Sequence, residues 1–271
     1  MGLMNCSEGE KGMKTVLKTL NKYKYLLQQL VLKDIKLKYR RSYLGYVWTL
    51  LEPLLTMIVL AVVFDKLRGK DDPCFPVYIL TARLLYTFFS NGTKSAMKSI
   101  RTNSSMIKKV YVPKYMYPLS GVLSNFIIFL LSLVVLILTE VFFQIKPTVY
   151  LLLSWIPLLV LLIMTMGVGL ILSTMAVFFR DLEYLWNIAL MLIMYCSAIF
   201  YSPESVAKEG FSWVFDLNPL YAVIRNFRNL VLYGRGFHQP SMIYATCFAV
   251  GSLIIGLMVF YKKQDDFILN I

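Results

Sequence analysis

Six apolar stretches, separated by polar and charged segments, form the main pattern of the chain. A helix needs about 20 predominantly apolar residues to cross the hydrocarbon core of a bilayer. The pattern therefore predicts an all-α integral membrane protein with six transmembrane helices. The predicted spans lie near Tyr46–Phe64, Val77–Asn91, Leu119–Phe143, Tyr150–Phe179, Tyr184–Tyr201 and Ser241–Tyr261.

A basic amphipathic segment leads without a break into the first span. Lys33, Lys36 and Arg40 recur at three- and four-residue spacing, so they share one face of a helix. Apolar side chains occupy a broad opposing arc, which Asp34 and Lys38 interrupt at i,i+4 spacing, where the two are expected to pair. This segment is predicted to be a helix that lies on the membrane surface.

Charged side chains within the spans need an explanation, because an ionised group at the bilayer centre costs roughly 2.5–3.5 kcal/mol on insertion scales. Glu52 precedes Pro53 in the first span, Arg83 lies in the second, and Glu140 ends the third. Snorkelling to the interface explains Glu140 and is one of two interpretations of Arg83. In the other, Arg83 faces a polar conduit and meets an anionic or sugar substrate.

Aromatic side chains are abundant, with 18 Tyr and 18 Phe. Tyr43, Tyr46 and Trp48 predict a belt at the water–lipid boundary of the first span. Sugars pack their C–H faces on aromatic rings, so rings near the first two spans are candidates for a sugar path. The substrate-path candidates are Tyr39, Tyr43, Arg83, Tyr86, Phe88 and Phe89.

Composition supports a surface that faces lipid. Of 271 residues, 58% are hydrophobic and 16% are charged, whereas a soluble domain carries about 25% charged residues. The net charge of +13 does not indicate a nucleic-acid partner, because the basic residues flank the spans instead of forming one patch. With six spans, most of the 28 Lys and Arg residues lie in segments on the same side of the membrane as the N-terminus. The positive-inside rule therefore places both termini in the cytosol.

Enzymatic motifs are absent from the sequence. His238 is its one histidine, so neither an HExxH zinc site nor a Ser-His-Asp triad can be assembled. No G-x-x-x-x-G-K-[ST] phosphate loop occurs, so any ATP hydrolysis must take place on another chain. The four cysteines are scattered and form no CxxC pair. We expect a non-enzymatic protein with no metal and no cofactor on this chain.

Two loops are more than connectors. Lys94–Pro118 is predicted to be cytosolic, and its charged residues are all basic. Ser202–Pro240 is predicted to lie outside, and within it Asn218 followed by Pro219 is a typical helix start. The helix that follows is predicted either to dip into the outer leaflet or to pack on the spans. We divide the chain into a cytosolic N-terminal region (1–45), a six-span domain (46–261) and a cytosolic tail (262–271).

Five segments occur in an order that resembles the permease subunit of type-2 ABC exporters, in the branch that exports O-antigen, capsule-like polysaccharide and teichoic acid. The resemblance extends from about Leu26 to Tyr261. Each segment is weakly specific alone, and the specificity comes from their order and their positions relative to the spans. The segments are DIKLKYRRSYLGYVWTLLEPL (Asp34–Leu54), MIKKVYVPKYMYPLS (Met106–Ser120), VFFRDLEYLWNIAL (Val177–Leu190), SAIFYSP (Ser197–Pro203) and NPLYAVIRNFR (Asn218–Arg228).

The resemblance implies an N-terminal interface helix, six spans, and external re-entrant helices between the last two. It also implies a unit of two permease copies and two separate P-loop ATPase chains, which hold ATP and Mg²⁺, in the bacterial cytoplasmic membrane. The segment from Ile107 to Tyr115 would be the coupling element that contacts the ATPase. Its candidate contact residues are Ile107, Lys108, Lys109, Val110, Tyr111, Pro113 and Lys114.

Two further sets of residues take their roles from the resemblance. The outer helix would be an external gate that includes Asn218, Pro219, Arg225 and Arg228. The basic residues of the interface helix would attract either the pyrophosphate of a lipid carrier or the anionic headgroups of membrane lipids. These basic residues are Lys33, Lys36, Lys38, Arg40 and Arg41.

The implied function is ATP-driven movement of a lipid-linked polysaccharide or teichoic acid from the inner to the outer leaflet. Ala82, Tyr86 and Ala198 depart from the Gly, Trp and Pro that the family tends to have, which leaves the identity of the glycan open. An ABC-2 permease for a small drug, lipid or peptide is an alternative, but the long surface helix favours the glycan branch. A membrane-embedded enzyme is a second alternative, opposed by the scarcity of His, Asp and Glu in the spans.

Overall fold

The computed structural model describes residues 23–40, 42–68, 74–109, 112–145, 147–201, 203 and 212–267. Within these ranges the regular secondary structure is helical. Two 3₁₀ helices, Gly45–Val47 and Val149–Ser154, lead into the second and sixth α-helices. Numbered in chain order, the α-helices are α1 (Lys24–Tyr39), α2 (Trp48–Arg68), α3 (Phe75–Thr102), α4 (Ser104–Ile107), α5 (Met116–Phe142), α6 (Trp155–Phe178), α7 (Leu182–Tyr195), α8 (Ser212–Asp216), α9 (Pro219–Val231) and α10 (Gln239–Lys263).

Each predicted span overlaps one of these helices. Four described segments are long and apolar enough to cross a membrane, namely Gly45–Val63, Met116–Phe142, Val149–Phe178 and Gln239–Lys263. Helix α3 has 28 residues, which is longer than predicted, but it is more polar. Helix α7 has 14 residues, or about 21 Å at 1.5 Å per residue, which is shorter than the ~30 Å hydrocarbon core. The prediction of an all-α membrane protein is confirmed, and the number of six spans stays a prediction.

The core of the bundle is formed by α3, α5, α6 and α10. Helix α6 packs along α10, and α3 packs along both α5 and α6. In the segment Val149–Phe178, 61% of the residues in the most apolar window are buried inside the protein, against 11% in Gly45–Val63. Helix α2 therefore lies at the periphery, and α7 likewise exposes most of its large apolar side chains.

Hydroxyl groups in α3 bond to carbonyl groups of the same helix. Thr81 Oγ1 donates to the carbonyl oxygen of Tyr78 at 2.8 Å, and Thr93 Oγ1 donates to that of Phe89 at the same distance. Both threonines are fully buried. Because a buried polar group is costly only when it lacks a partner, this local bonding lets a helix of modest hydropathy occupy the centre of the bundle.

Glycines bring α6 and α10 into close contact. A Cβ atom on Gly167 would lie 2.4 Å from the backbone nitrogen of Leu253, and one on Gly256 would lie 2.7 Å from the carbonyl oxygen of Gly167. Both distances are shorter than a van der Waals contact, so a larger residue at either position would push the helices apart. Small residues at facing positions are typical of helix pairs in membranes.

Helix α7, which corresponds to the fifth predicted span, is shorter than the sequence predicts. The prediction extends it to Tyr201, whereas α7 ends at Tyr195. The chain then turns, and Ala198 adopts a left-handed backbone conformation with φ of +46°. Carbonyl groups in this turn accept hydrogen bonds from the side chains of Tyr78 and Asn218. These tertiary bonds take the place of helical ones, which apolar periodicity alone does not reveal.

One end of the bundle, here called the α1 end, collects the segments predicted to be cytosolic: α1, the α3–α5 connection, the α6–α7 junction and the end of α10. Lys33 Nζ donates to Asn103 Oδ1 at 2.7 Å, and the Ser120 hydroxyl donates to the Asp34 carboxylate at 3.2 Å. The expected pair of Asp34 with Lys38 is not among the ion pairs of the described residues. Asp34 instead accepts its hydrogen bond from Ser120, which is distant in the sequence.

Candidate functional site

A polar cleft opens at the α1 end between α1, α2, α3 and α5. Its volume is about 640 Å³. Four helices each contribute polar side chains, so the cleft exists only in the folded bundle. The charged and amide-bearing residues that line it include Lys38, Glu52, Asn91, Lys94 and Asn125.

The cleft continues into a narrower pocket of about 60 Å³ that shares Lys38, Glu52, Asn91 and Asn125 with the wider part. Here the predicted path residues Tyr39, Arg83 and Phe88 come together. Phe88 stacks on Phe129 with ring centroids 5.2 Å apart, which gives the pocket an aromatic wall. Charge, amides and ring faces thus meet in one concavity, a combination suited to sugars and their phosphates.

The contacts that Arg83 makes with the described residues are weak. Its Nη1 atom lies 3.3 Å from Met194 Sδ, and its guanidinium carbon lies 5.6 Å from the centroid of the Tyr86 ring. A thioether is a weak acceptor, and neither contact satisfies the five N–H donors of the guanidinium group. The side chain therefore retains donors for a ligand in the pocket.

Three other predicted path residues do not line this cleft. Tyr43 is fully exposed in the connection between α1 and α2. Tyr86 is buried and donates to the carbonyl oxygen of Leu190 at 2.9 Å. Phe89 is also buried and lies beside Trp186, with ring centroids 6.4 Å apart. Tyr86 and Phe89 hold α7 against α3, which is a packing role.

Partial desolvation at the mouth of the cleft acts on charges of both signs. Burial lowers the pKa of Lys38, and the nearby Glu52 carboxylate partly offsets this shift. Burial raises the pKa of Asp34, whereas Lys33 and the hydrogen bond from Ser120 act in the opposite direction. Charged groups interact more strongly where water is partly excluded, so the mouth favours a charged or hydroxyl-rich ligand.

Sequence reasoning missed Asn125 and Lys94 as cleft residues. Asn125 lies inside an apolar span, and an amide at that depth is the signal that would have pointed to it. The sequence predicts that Lys94 begins a cytosolic loop, whereas it lies within α3 and lines the same cleft as Lys38.

The five basic residues of the interface helix do not form one surface. The amine of Lys33 is bonded to Asn103, and Lys38 lines the cleft. Lys36 and Arg40 are exposed. Arg41 lies outside the described residues. Two cations thus remain directed away from the bundle, and one joins the cleft.

The predicted coupling element consists of a short helix and the residues that follow it. Helix α4 buries Ile107, while Met106, Lys108 and Lys109 are exposed beside it. Pro113 is half-buried, and Lys114 Nζ donates to the carbonyl oxygen of Gln264. Val110 and Tyr111 lie outside the described residues. The exposed lysines and methionine form a small surface that combines charge with an apolar side chain.

The predicted outer helix is α9, and it packs on the bundle. Its N-cap is Asn218, whose side chain accepts hydrogen bonds from the backbone N–H groups of Leu220 and Tyr221, as the Asn-Pro sequence predicts. Nearly the whole helix is buried against α3, α6 and α10. The packing agrees with one of the two expectations for this helix, and whether it also enters the outer leaflet stays a prediction. Pro219 and Arg225 are half-buried.

Arg228 is a buried junction between three elements at the opposite end from α1. Its guanidinium group donates to the carbonyl oxygens of Ala198 at 3.0 Å and Tyr78 at 2.9 Å. It also stacks on the Tyr78 ring, 3.4 Å from the ring centroid. The side chain is 3% exposed. It therefore joins α9 to α3 and to the turn after α7.

The described residues contain no group of three or more His, Cys, Asp or Glu side chains that is able to hold a metal ion.

The sequence of this chain is similar to those of known membrane transport proteins. The sequence profile described as "ABC-2 type transporter" matches residues 25–232. An "O-antigen export system permease protein RfbA" of Klebsiella pneumoniae is 32% identical over 252 residues, which cover 90% of this chain and 95% of that protein. A protein with the same name from Myxococcus xanthus is 25% identical, over 93% of this chain and 97% of its own length. The "Polysialic acid transport protein KpsM" of Escherichia coli is 25% identical, over 89% of this chain and 95% of its own length.

Proposed function

Because the chain belongs to the ABC-2 type transporter family, we propose that it is the membrane-spanning subunit of an ATP-driven exporter that moves a lipid-linked polysaccharide across the cytoplasmic membrane. The observation that carries this proposal is similarity to permeases of O-antigen and polysialic acid export along nearly their whole lengths. Those relatives are named as export permeases or transport proteins, so the chain is a transport subunit and not an enzyme.

The proposed topology has six spans. Four are the segments that are long and apolar enough to cross a membrane, and α3 and α7 are the other two. Segment 1–45 contains the interface helix, 46–261 is the permease domain, and 262–271 is a cytosolic tail. The α1 end faces the cytosol, and the helices between the last two spans face outside. This orientation is supported by the excess of basic residues in the segments gathered at the α1 end.

The proposed transport unit contains two copies of the chain and two ATPase chains that bind ATP and Mg²⁺. The surface formed by Met106, Lys108 and Lys109 is the proposed ATPase contact, with Val110 and Tyr111 following in the sequence. An apolar side chain flanked by cations provides both contact area and electrostatic orientation. Ile107 and Lys114 support this surface from the bundle side, since one is buried and the other is bonded to Gln264.

The polar cleft is the proposed cytosolic part of the substrate path. Arg83 and Lys38 offer charge, and Glu52, Asn91 and Asn125 offer acceptors and donors for hydroxyl groups. The buried Phe88 forms part of the apolar wall behind them. The exposed Lys36 and Arg40 attract either the pyrophosphate of the lipid carrier or anionic headgroups. Charge reversal at these two positions separates the possibilities: loss of export with unchanged membrane association and assembly indicates the carrier.

Co-purification tests the function directly. The chain is expressed with its chromosomal neighbours, extracted in mild detergent and analysed for bound proteins. Recovery of a P-loop ATPase in equal amount, lost in a Lys108→Glu/Lys109→Glu variant, is the expected result. Depletion of the permease is then expected to cause a lipid-linked glycan to accumulate in the inner leaflet. Purification of the chain without an ATPase under every condition would overturn the exporter assignment.

A further inference from the structure

The four residues after α10, Gln264–Phe267, fold back onto the bundle. Phe267 has no exposed surface, although it lies four residues beyond the last residue of α10. Its ring meets the ring of Phe260 edge to face at 5.1 Å and lies 6.0 Å from the ring of Phe178. The segment is therefore anchored on α10 and on the end of α6.

The same four residues hold the last part of the coupling element. Lys114 Nζ donates to the carbonyl oxygen of Gln264 and lies 6.0 Å from the centroid of the Phe267 ring. The next residue, Tyr115, packs beside Tyr261 on α10, with ring centroids 6.0 Å apart. The coupling element is thus attached to the segment after α10 as well as to the helices on either side of it.

One apolar cluster joins these parts from inside. Ile107 of α4, Leu30 of α1 and Phe267 belong to the same buried cluster at the α1 end. The residues between α10 and Phe267 are polar, and Asp265 and Asp266 are exposed. Phe267 is therefore the apolar anchor that keeps Gln264 in place to accept the hydrogen bond from Lys114.

We propose that Phe267 is a positioning residue for ATPase coupling: it anchors Gln264–Phe267, which holds Lys114, and through the buried cluster that it shares with Ile107 it fixes the position of the adjacent exposed Lys108–Lys109 surface. This inference rests on the proposed function, because it takes that surface as the ATPase contact. Fixing a contact surface before binding lowers the ordering cost of association, so loss of the anchor weakens binding without removing any contact residue.

The test uses the full-length permease in detergent together with its purified ATPase chain. Phe267→Ala removes the anchor, and Phe267→Leu retains most of the apolar volume as the conservative variant. Asp265→Ala, two residues away and exposed, is the matched control. The apparent affinity for the ATPase is measured by titration, and a nitroxide on Lys109→Cys reports mobility in the permease alone, in a background without the four native cysteines. A second label on Tyr233→Cys, at the opposite end, controls for general loosening.

Phe267→Ala is expected to mobilise the label at position 109, but not the one at 233, and to weaken ATPase binding roughly tenfold. Phe267→Leu and Asp265→Ala are expected to retain most of the affinity. Unchanged mobility at position 109, or increased mobility with unchanged affinity, overturns the positioning role. The Lys108→Glu/Lys109→Glu variant separates failure of the positioning role from failure of the coupling surface. If this variant binds the ATPase as tightly as the wild type, the coupling surface is wrongly assigned, and the positioning role fails with it.

Discussion

The hydroxyl group of Ser132 on α5 donates a hydrogen bond to the carbonyl oxygen of Thr49 on α2, at 3.1 Å. In an uninterrupted helix that carbonyl would accept from the backbone N–H of residue 53, but residue 53 is proline and has no N–H. The Ser132 hydroxyl also lies 3.0 Å from the carbonyl oxygen of Ile128 on its own helix, so its one proton is shared between Ile128 and the carbonyl that Pro53 leaves without a backbone donor. The bond fastens α2, the most peripheral of the apolar spans, to the core.

Ser132→Ala is expected to lower the free energy of unfolding by about 1 kcal/mol, because the Thr49 carbonyl loses its donor. The measurement is thermal unfolding in detergent. A Pro53→Ala background is the control, since it restores the backbone donor. Equal cost of Ser132→Ala in both backgrounds would show that the hydroxyl does not substitute for the missing N–H.

Gly167→Val is expected to separate α6 from α10 and to destabilise the bundle by about 1–3 kcal/mol. The reason is the 2.4 Å approach of a Cβ atom to the backbone of Leu253. Gly251→Val is the matched control on α10, because a Cβ atom there has no atom within 4 Å. If both variants melt at the wild-type temperature, the helix pair is less tightly packed than described.

Arg228→Lys is expected to destabilise the end of the bundle opposite α1 by about 1.5–3 kcal/mol. Lysine keeps the charge but lacks the planar fork that reaches two carbonyl groups at once. Limited proteolysis between α7 and α9 reports the loosening, with Arg225→Lys as a control at a half-buried position of the same helix. Equal protease resistance of the two variants would contradict the junction role.

Arg83→Leu is expected to reduce glycan export about tenfold, or ~1.4 kcal/mol, without preventing membrane insertion, because the variant removes the donors at the deep end of the cleft. The assay compares glycan at the cell surface with the amount of permease in the membrane. Tyr86→Phe, which deletes the hydroxyl bonded to Leu190, is the control for packing. Unchanged export by Arg83→Leu would remove Arg83 from the substrate path.

Much of the helix order was predictable from the sequence, because apolar length and the flanking charges are local properties. The Asn218 cap was predictable for the same reason, since Asn before Pro favours a helix start wherever it occurs. The end of α7 was not, because the turn at Ala198 is held by Tyr78, Asn218 and Arg228 from distant parts of the chain.

The candidate site was predictable only in part. Arg83 was predictable as a candidate because a charge within a span is costly. It lines a pocket together with Tyr39 and Phe88. Tyr86 and Phe89 have the same residue types and lie in the same stretch, yet they face α7 instead. Which face of α3 meets the cleft depends on the packing of α2 and α5, and no local pattern specifies it.

The continuity of α3 has a mechanical consequence. The helix measures about 42 Å at 1.5 Å per residue and is buried along most of its 28 residues. One end leads into α4 and the proposed ATPase contact, and the other carries Tyr78, on which Arg228 stacks. A hydrogen-bonded rod without an internal proline transmits a push along its axis with little compression. We therefore expect a small tilt of α3 at the end next to the proposed ATPase contact to displace its other end, where Arg228 stacks on Tyr78.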